Sequence, residues 1–91
     1  MKKHYNITVK GKVQGVFYRK NTQKQARNLG LSGYVKNMAN GTVKIEAEGE
    51  ESRLKKLVEW CKDGPKRAKV DEVEVNEKET LKDYDKFRIK Y

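Results

Sequence analysis

Cysteine, histidine, proline and tryptophan occur once each in the 91 residues, as Cys61, His4, Pro65 and Trp60. A lone cysteine excludes an intrachain disulfide and a cysteine cluster for zinc. No run approaches the roughly 18 consecutive apolar residues of a membrane span. The start, Met1-Lys2-Lys3-His4-Tyr5-Asn6, has no apolar stretch behind its charges and does not read as a signal peptide. These absences predict a soluble cytoplasmic protein with no membrane partner. Length restricts the chain further. One domain, residues 1–91, is the default at this size. Such a domain buries only about 60 to 65% of its unfolded surface, which leaves room for one core.

What is abundant is positive charge. Lys and Arg number 22 against 13 Asp and Glu, giving a net charge of +9. That attracts anions of any kind: nucleic acid, acidic lipid or small phosphorylated substrates. Charge alone does not choose among them. Seventeen of the 22 cations are Lys, spread over the whole length. This reads as a solvated surface rather than a nucleic-acid stripe.

Periodicity supplies the elements. Tyr5, Ile7 and Val9 alternate with polar residues, a half-buried strand ending at Gly11. The period is lost from Gly11 to Arg19, which predicts a loop. From about Arg19 to Leu29 good helix formers dominate, with Thr22, Ala26 and Leu29 on one face. Gly30 stops that helix. Leu31 to Met38 reads as a second strand, Asn40-Gly41 as a tight hairpin turn, and Val43, Ile45 and Ala47 as the inward face of a third strand ended by Gly49. Ser52 is a candidate N-cap for a helix carrying Leu54, Leu57, Val58 and Cys61 on one face. Gly64-Pro65 ends it. Val70, Val73 and Val75 mark a fourth strand, and Phe87, Ile89 and Tyr91 a short fifth one. Cys61 and the adjoining Trp60 are expected in and beside the core, and His4 has no assigned role.

This order, βαββαβ with an appended strand, predicts an α+β fold: a ferredoxin-like two-layer sandwich with a mostly antiparallel sheet. Right-handed crossover makes the first two strands parallel with the third between them. The loop Gly11 to Arg19, the end of strand two near Asn37 and the start of the first helix then share one sheet edge. Backbone N–H groups of a loop opening into a helix form a concave anion site. Arg19 at the junction offers a bidentate fork for phosphate oxygens. Asn37 across the cleft is suited to holding a water. No Ser-His-Asp set, paired carboxylates or metal cluster accompanies them, so the pattern is a phosphate site without a protein nucleophile. Lys12 and Lys20 are expected to be solvated charges, and Asn40 a turn residue.

Gly11-Lys12-Val13-Gln14-Gly15-Val16-Phe17-Tyr18-Arg19 resembles the signature of the acylphosphatase family. Gly33-Tyr34-Val35-Lys36-Asn37-Met38-Ala39-Asn40-Gly41-Thr42-Val43 is similar to its second signature. Gly64-Pro65, Ala68-Lys69-Val70 with Val73, and Phe87-Arg88-Ile89 extend the likeness over nearly the whole chain. The resemblance implies hydrolysis of the carboxyl–phosphate bond of acyl phosphates by water, without metal or other cofactor. It implies that Arg19 is the catalytic phosphate-binding arginine and Asn37 the water-positioning asparagine. Gln14, Gly15, Val16, Phe17, Tyr18 and Arg19 form the implied phosphate-binding loop. Asn21 lies off both motifs, where an apolar or aromatic residue is the expectation.

Two other readings compete. An RNA-binding domain of this topology stacks bases on aromatics of its central strands. Strand three has no aromatic and strand one offers only Tyr5. A non-catalytic regulatory module is the second rival. Acylphosphatase-like domains also resemble the N-terminal part of larger carbamoyl-transfer proteins. Without zinc-type cysteine motifs before Tyr91, a free-standing monomeric enzyme is the expectation, with acyl phosphates and inorganic phosphate as its only partners and no nucleic acid.

Overall fold

A computed structural model describes residues 1–91. Its elements are β1 (Lys2–Lys12), α1 (Tyr18–Asn28), β2 (Ser32–Asn37), β3 (Val43–Glu50), α2 (Glu51–Asp63), β4 (Lys69–Lys78) and β5 (Phe87–Lys90). The five strands form one sheet in the order β4-β1-β3-β2-β5. β1 pairs antiparallel with β3 and β4, and β2 antiparallel with β3, so β1 and β2 run the same way. β5 joins the edge parallel to β2, with Gly33 opposite Phe87 and Lys36 opposite Lys90. The ferredoxin-like sandwich is therefore present, and the fifth strand lies where its C-terminal end reaches the same edge as the ends of β1 and β2.

Alternation decides which face each strand buries. Ile7 and Val9 of β1, Val35 of β2, and Val43, Ile45 and Ala47 of β3 are buried. Ala26 of α1 and Leu54, Leu57 and Cys61 of α2 close the same core. Burying one such aliphatic side chain contributes about 1.5 to 3 kcal/mol. α1 ends in a Schellman motif, with Gly30 N–H donating to Arg27 O at 3.0 Å and Leu31 N–H to Ala26 O at 2.9 Å. Gly30 takes the left-handed conformation this requires, φ 69.

Several boundaries differ from the sequence expectation, each for a local reason. β1 continues past Gly11 because a bulge between Lys10 and Gly11 keeps it paired with Val70 and Lys69. The β2–β3 turn is longer than a two-residue hairpin. Met38 N–H donates to Thr42 O at 2.8 Å, and only Gly41 takes positive φ. Asn40 acts through its side chain, accepting from Thr42 N–H at 3.1 Å and Thr42 Oγ1 at 2.7 Å. β3 runs through Gly49 to Glu50. Ser52 is not the N-cap, since α2 begins at Glu51, whose N–H donates to Met1 O at 3.1 Å.

The largest departure is on the sheet face away from the helices. His4, Glu46 and Glu48 point there, where charged groups are expected in solvent, yet all are buried. The segment between β4 and β5 covers them. Glu48 accepts the backbone N–H of Lys82, of Asp83 at 2.9 Å and of Tyr84 at 3.4 Å. His4 Nδ1 faces Thr80 O and Glu48 Oε2, both at 3.1 Å, and Nε2 lies 2.5 Å from Glu46 Oε1. Nδ1 meets only acceptors and therefore donates. Glu48 thus anchors the strap that delivers β5 to the sheet. Glu48→Ala, which strands several backbone donors and His4, should lower unfolding free energy by about 3 kcal/mol in a denaturant titration. A loss below about 0.5 kcal/mol, the range of ordinary surface changes, would show that the strap is not held this way.

Candidate active site

The shared edge carries a cleft of about 320 Å³ lined by Val13, Gly15, Phe17, Tyr18, Arg19, Lys20, Asn37, Ile89 and Tyr91. Its floor is the junction of β1 and α1. Gly15 has φ 74, and Phe17, the residue that caps α1, has φ 62 and ψ 24. Left-handed backbone is ordinary for glycine and costly for phenylalanine, of order 1 to 3 kcal/mol. An alanine Cβ at Gly15 would meet no atom within 4 Å, so it is backbone conformation and not space that calls for glycine there.

This path leaves amides free. Gly15, Val16 and Phe17 make no backbone hydrogen bond as donors, and the N–H groups of Tyr18, Arg19 and Lys20 belong to the first helical turn. No side chain caps the helix and no acidic residue occupies its first turn. Phe17 in the left-handed region followed by helical Tyr18 makes successive N–H groups converge, an anion nest at the positive end of a helix dipole.

Two side chains face this nest. Arg19 pairs with no carboxylate. Its Nη1 donates to Lys90 O at 3.3 Å and its Cζ lies 4.8 Å from the centre of the Tyr91 ring. The carbonyl and the ring hold one edge of the guanidinium and leave the rest of its fork available. Asn37 ends β2, opposite Val43. Its Oδ1 is shielded from solvent and accepts no hydrogen bond from the protein.

The expected site residues separate into two groups. Gly15, Phe17, Tyr18, Arg19 and Asn37 line one cleft, whereas Gln14 and Val16 do not. Val16 packs in the core. Gln14 Nε2 donates to Met38 O at 2.8 Å and Thr42 O at 2.9 Å, tying the loop to the β2–β3 turn and so fixing its distance from Asn37. Lys20 is exposed, as expected of a solvated charge, and also borders the cleft, and Ile89 and Tyr91 complete the wall. One sequence signal bears on all of this. Residues 1–45 contain ten Lys and Arg and no Asp or Glu, so every acid lies in the other half. The half that builds the nest is uniformly cationic.

A family model described as Acylphosphatase matches residues 5–89. The chain belongs to the acylphosphatase family. It is 50% identical over 84 residues to an acylphosphatase of Marinobacter nauticus, covering 92% of this chain and 91% of that protein. Among solved structures, an acylphosphatase from Bacillus subtilis superposes with a TM-score of 0.95 at 41% identity, covering all of both chains. One from Coxiella burnetii gives 0.94 at 40% identity over 98% of this chain and 93% of that one.

In this acylphosphatase-family chain the nest is fastened to the core by Tyr18. Its hydroxyl donates to Cys61 O at 2.8 Å, and its ring tilts against Trp60 with centroids 5.4 Å apart. Burial pushes the Tyr18 hydroxyl well above the usual phenol range and the Cys61 thiol up to about 12. Below the ordinary thiol value of about 9, folded and unfolded chains both keep the Cys61 proton. Above it only the unfolded chain releases the proton, so stability falls as pH rises from about 9 towards 12. The native thiol should resist a disulfide labelling reagent at pH 8 and react promptly in denaturant. Fast stoichiometric labelling of the native protein would contradict this burial.

Proposed function

We propose that the acyl-phosphate hydrolysis of this family is carried out here by Arg19, the Gly15–Lys20 amides and Asn37. The observation that carries the proposal is the convergence of unpaired amides and an unpaired guanidinium edge on one cleft that Asn37 also lines. The phosphoryl oxygens take the loop N–H groups and the Arg19 fork. Asn37, in the cleft wall, holds a water and aims it at phosphorus, in line with the leaving carboxylate. The water oxygen bonds to phosphorus as the phosphorus–oxygen bond to the acyl group breaks. That electron pair leaves with the carboxylate, and the phosphate takes the water's proton.

No general acid is needed. The leaving carboxylate belongs to an acid with a pKa near 4, like Asp or Glu. The transition state is loose, so positioning and charge stabilisation carry the rate. The cleft lining contains no His, Cys, Asp or Glu, and this route uses no metal. Simple phosphate monoesters, whose alkoxide must be protonated, are poor substrates on this reading. The same reading keeps the chain in the cytoplasm as a monomer acting on small acyl phosphates, not nucleic acid. Supporting it, the large apolar side chains left exposed are only Met1, Phe17, Val75 and Tyr91, and two of these line the cleft. No helix is long and apolar enough to cross a membrane.

Phosphate release from benzoyl phosphate, assayed with EDTA present, tests the roles. Arg19→Ala should lower turnover on the order of 100- to 1000-fold and weaken phosphate binding. Arg19→Lys should rescue poorly, because a point charge cannot grip two oxygens. An Arg19→Lys protein with most of its activity would refute bidentate holding. Asn37→Ala should lower kcat by about 100-fold and leave KM and phosphate affinity within about twofold, as expected for a contact made in the transition state. Phosphate binding weakened as much as in Arg19→Ala would show instead that Asn37 holds the anion.

A further inference from the structure

We infer that Asn21, outside both motifs and outside the cleft lining, is a positioning residue that sets the direction of the Tyr18 N–H in the phosphate nest. The inference rests on the proposed phosphate site.

The Phe17 carbonyl accepts two hydrogen bonds from one residue. Asn21 N–H donates to it at 3.1 Å, the ordinary helical bond, and Asn21 Nδ2 donates at 2.9 Å. The peptide joining Phe17 to Tyr18 is trans, so its C=O and N–H point in opposite directions. The carbonyl is drawn down the helix towards Asn21. The Tyr18 N–H must then project out of the helix start, where the nest opens. The direction of this catalytic amide is the direction of a carbonyl, reversed.

That peptide needs holding. Phe17 is in the left-handed region and the residue is 68% exposed, so packing does little to fix it. Relaxing Phe17 to an extended conformation would rotate the peptide, turning the N–H away from the anion. The second hydrogen bond opposes that rotation. A helix-stability role accounts poorly for Asn21. Asparagine is a weak helix former, and side-chain bonding to the carbonyl four residues back does not favour a helix. Thr22 makes the same kind of bond one residue on, with Oγ1 donating to Tyr18 O at 2.7 Å. The carbonyls of the cap residue Phe17 and of Tyr18, the first residue of α1, are thus each held by a side chain as well as by the helix.

The two roles predict opposite results for Asn21→Leu, which keeps the size and removes the donor. As a positioning change, it should raise the Kd for inorganic phosphate and the KM for benzoyl phosphate about two- to tenfold, the range of one lost hydrogen bond. The denaturation midpoint should stay the same or rise. Asn21→Ser, whose hydroxyl can repeat the Thr22 bond, should recover most of the phosphate affinity. Calorimetric phosphate titration, steady-state kinetics and chemical denaturation of wild type, both variants and Arg19→Ala make the comparison. If Arg19→Ala weakens phosphate binding while Asn21→Leu binds like wild type, the inference is overturned and the phosphate site stands. Affinity and stability falling together in Asn21→Leu, with no recovery in Asn21→Ser, would also overturn it. An Arg19→Ala protein with wild-type phosphate affinity would overturn the phosphate site itself.

Discussion

A backbone N–H without an acceptor is a strong donor left unspent, and folded chains rarely gather several in one place. This chain collects them from Gly15 to Lys20, between the end of β1 and the first turn of α1. The rest of the site depends on that cluster. Positive φ at Gly15 and Phe17 turns the chain so that the N–H groups converge. The uncapped helix start and its acid-free first turn leave their positive potential unopposed. A dispersed dianion such as a phosphoryl group fits such a nest better than a point anion, because it offers several oxygens to several donors.

The remaining structure holds the nest in register with its partners. Tyr18 fastens it to the core through Cys61 O, and Gln14 ties it to the turn that follows Asn37. The third support comes from the far face of the sheet. Glu48 and His4 pin the Thr80–Tyr84 strap, the strap delivers β5, and β5 brings Lys90 O and the Tyr91 ring to Arg19. Buried polar side chains on one face thereby serve the guanidinium on the sheet edge. The fold and the site are parts of one hydrogen-bonded frame.

Much of this was legible in the residues. Period-two alternation identified Ile7, Val9, Val43, Ile45 and Ala47 as core, because a half-buried strand must sort its side chains by face. Gly15, Arg19 and Asn37 could be brought together because crossover handedness leaves few ways to arrange the strands. What was not legible needed tertiary pairing. Ile89 and Tyr91 reach the cleft only once β5 has a neighbour. His4, Glu46 and Glu48 look solvated by type, and only the strap over them makes them buried. Asn21 stands out in the sequence only as a polar residue where an apolar or aromatic one is expected, and its bond to the Phe17 carbonyl shows only in the structure. The absence of acids before Glu46 was available in the sequence, and it leaves the loop and first helix without a neighbouring carboxylate in the chain.

The central claim is that the Gly15–Lys20 amides are the phosphate-binding element. The most direct test is a titration of the ¹⁵N-labelled protein with inorganic phosphate, following backbone amide shifts residue by residue. The account predicts large, saturable shifts concentrated at residues 15 to 20 and at the Arg19 side chain, with little movement elsewhere on the basic surface. Shifts scattered over the exposed lysines, or centred on another segment while residues 15 to 20 stay still, would contradict it.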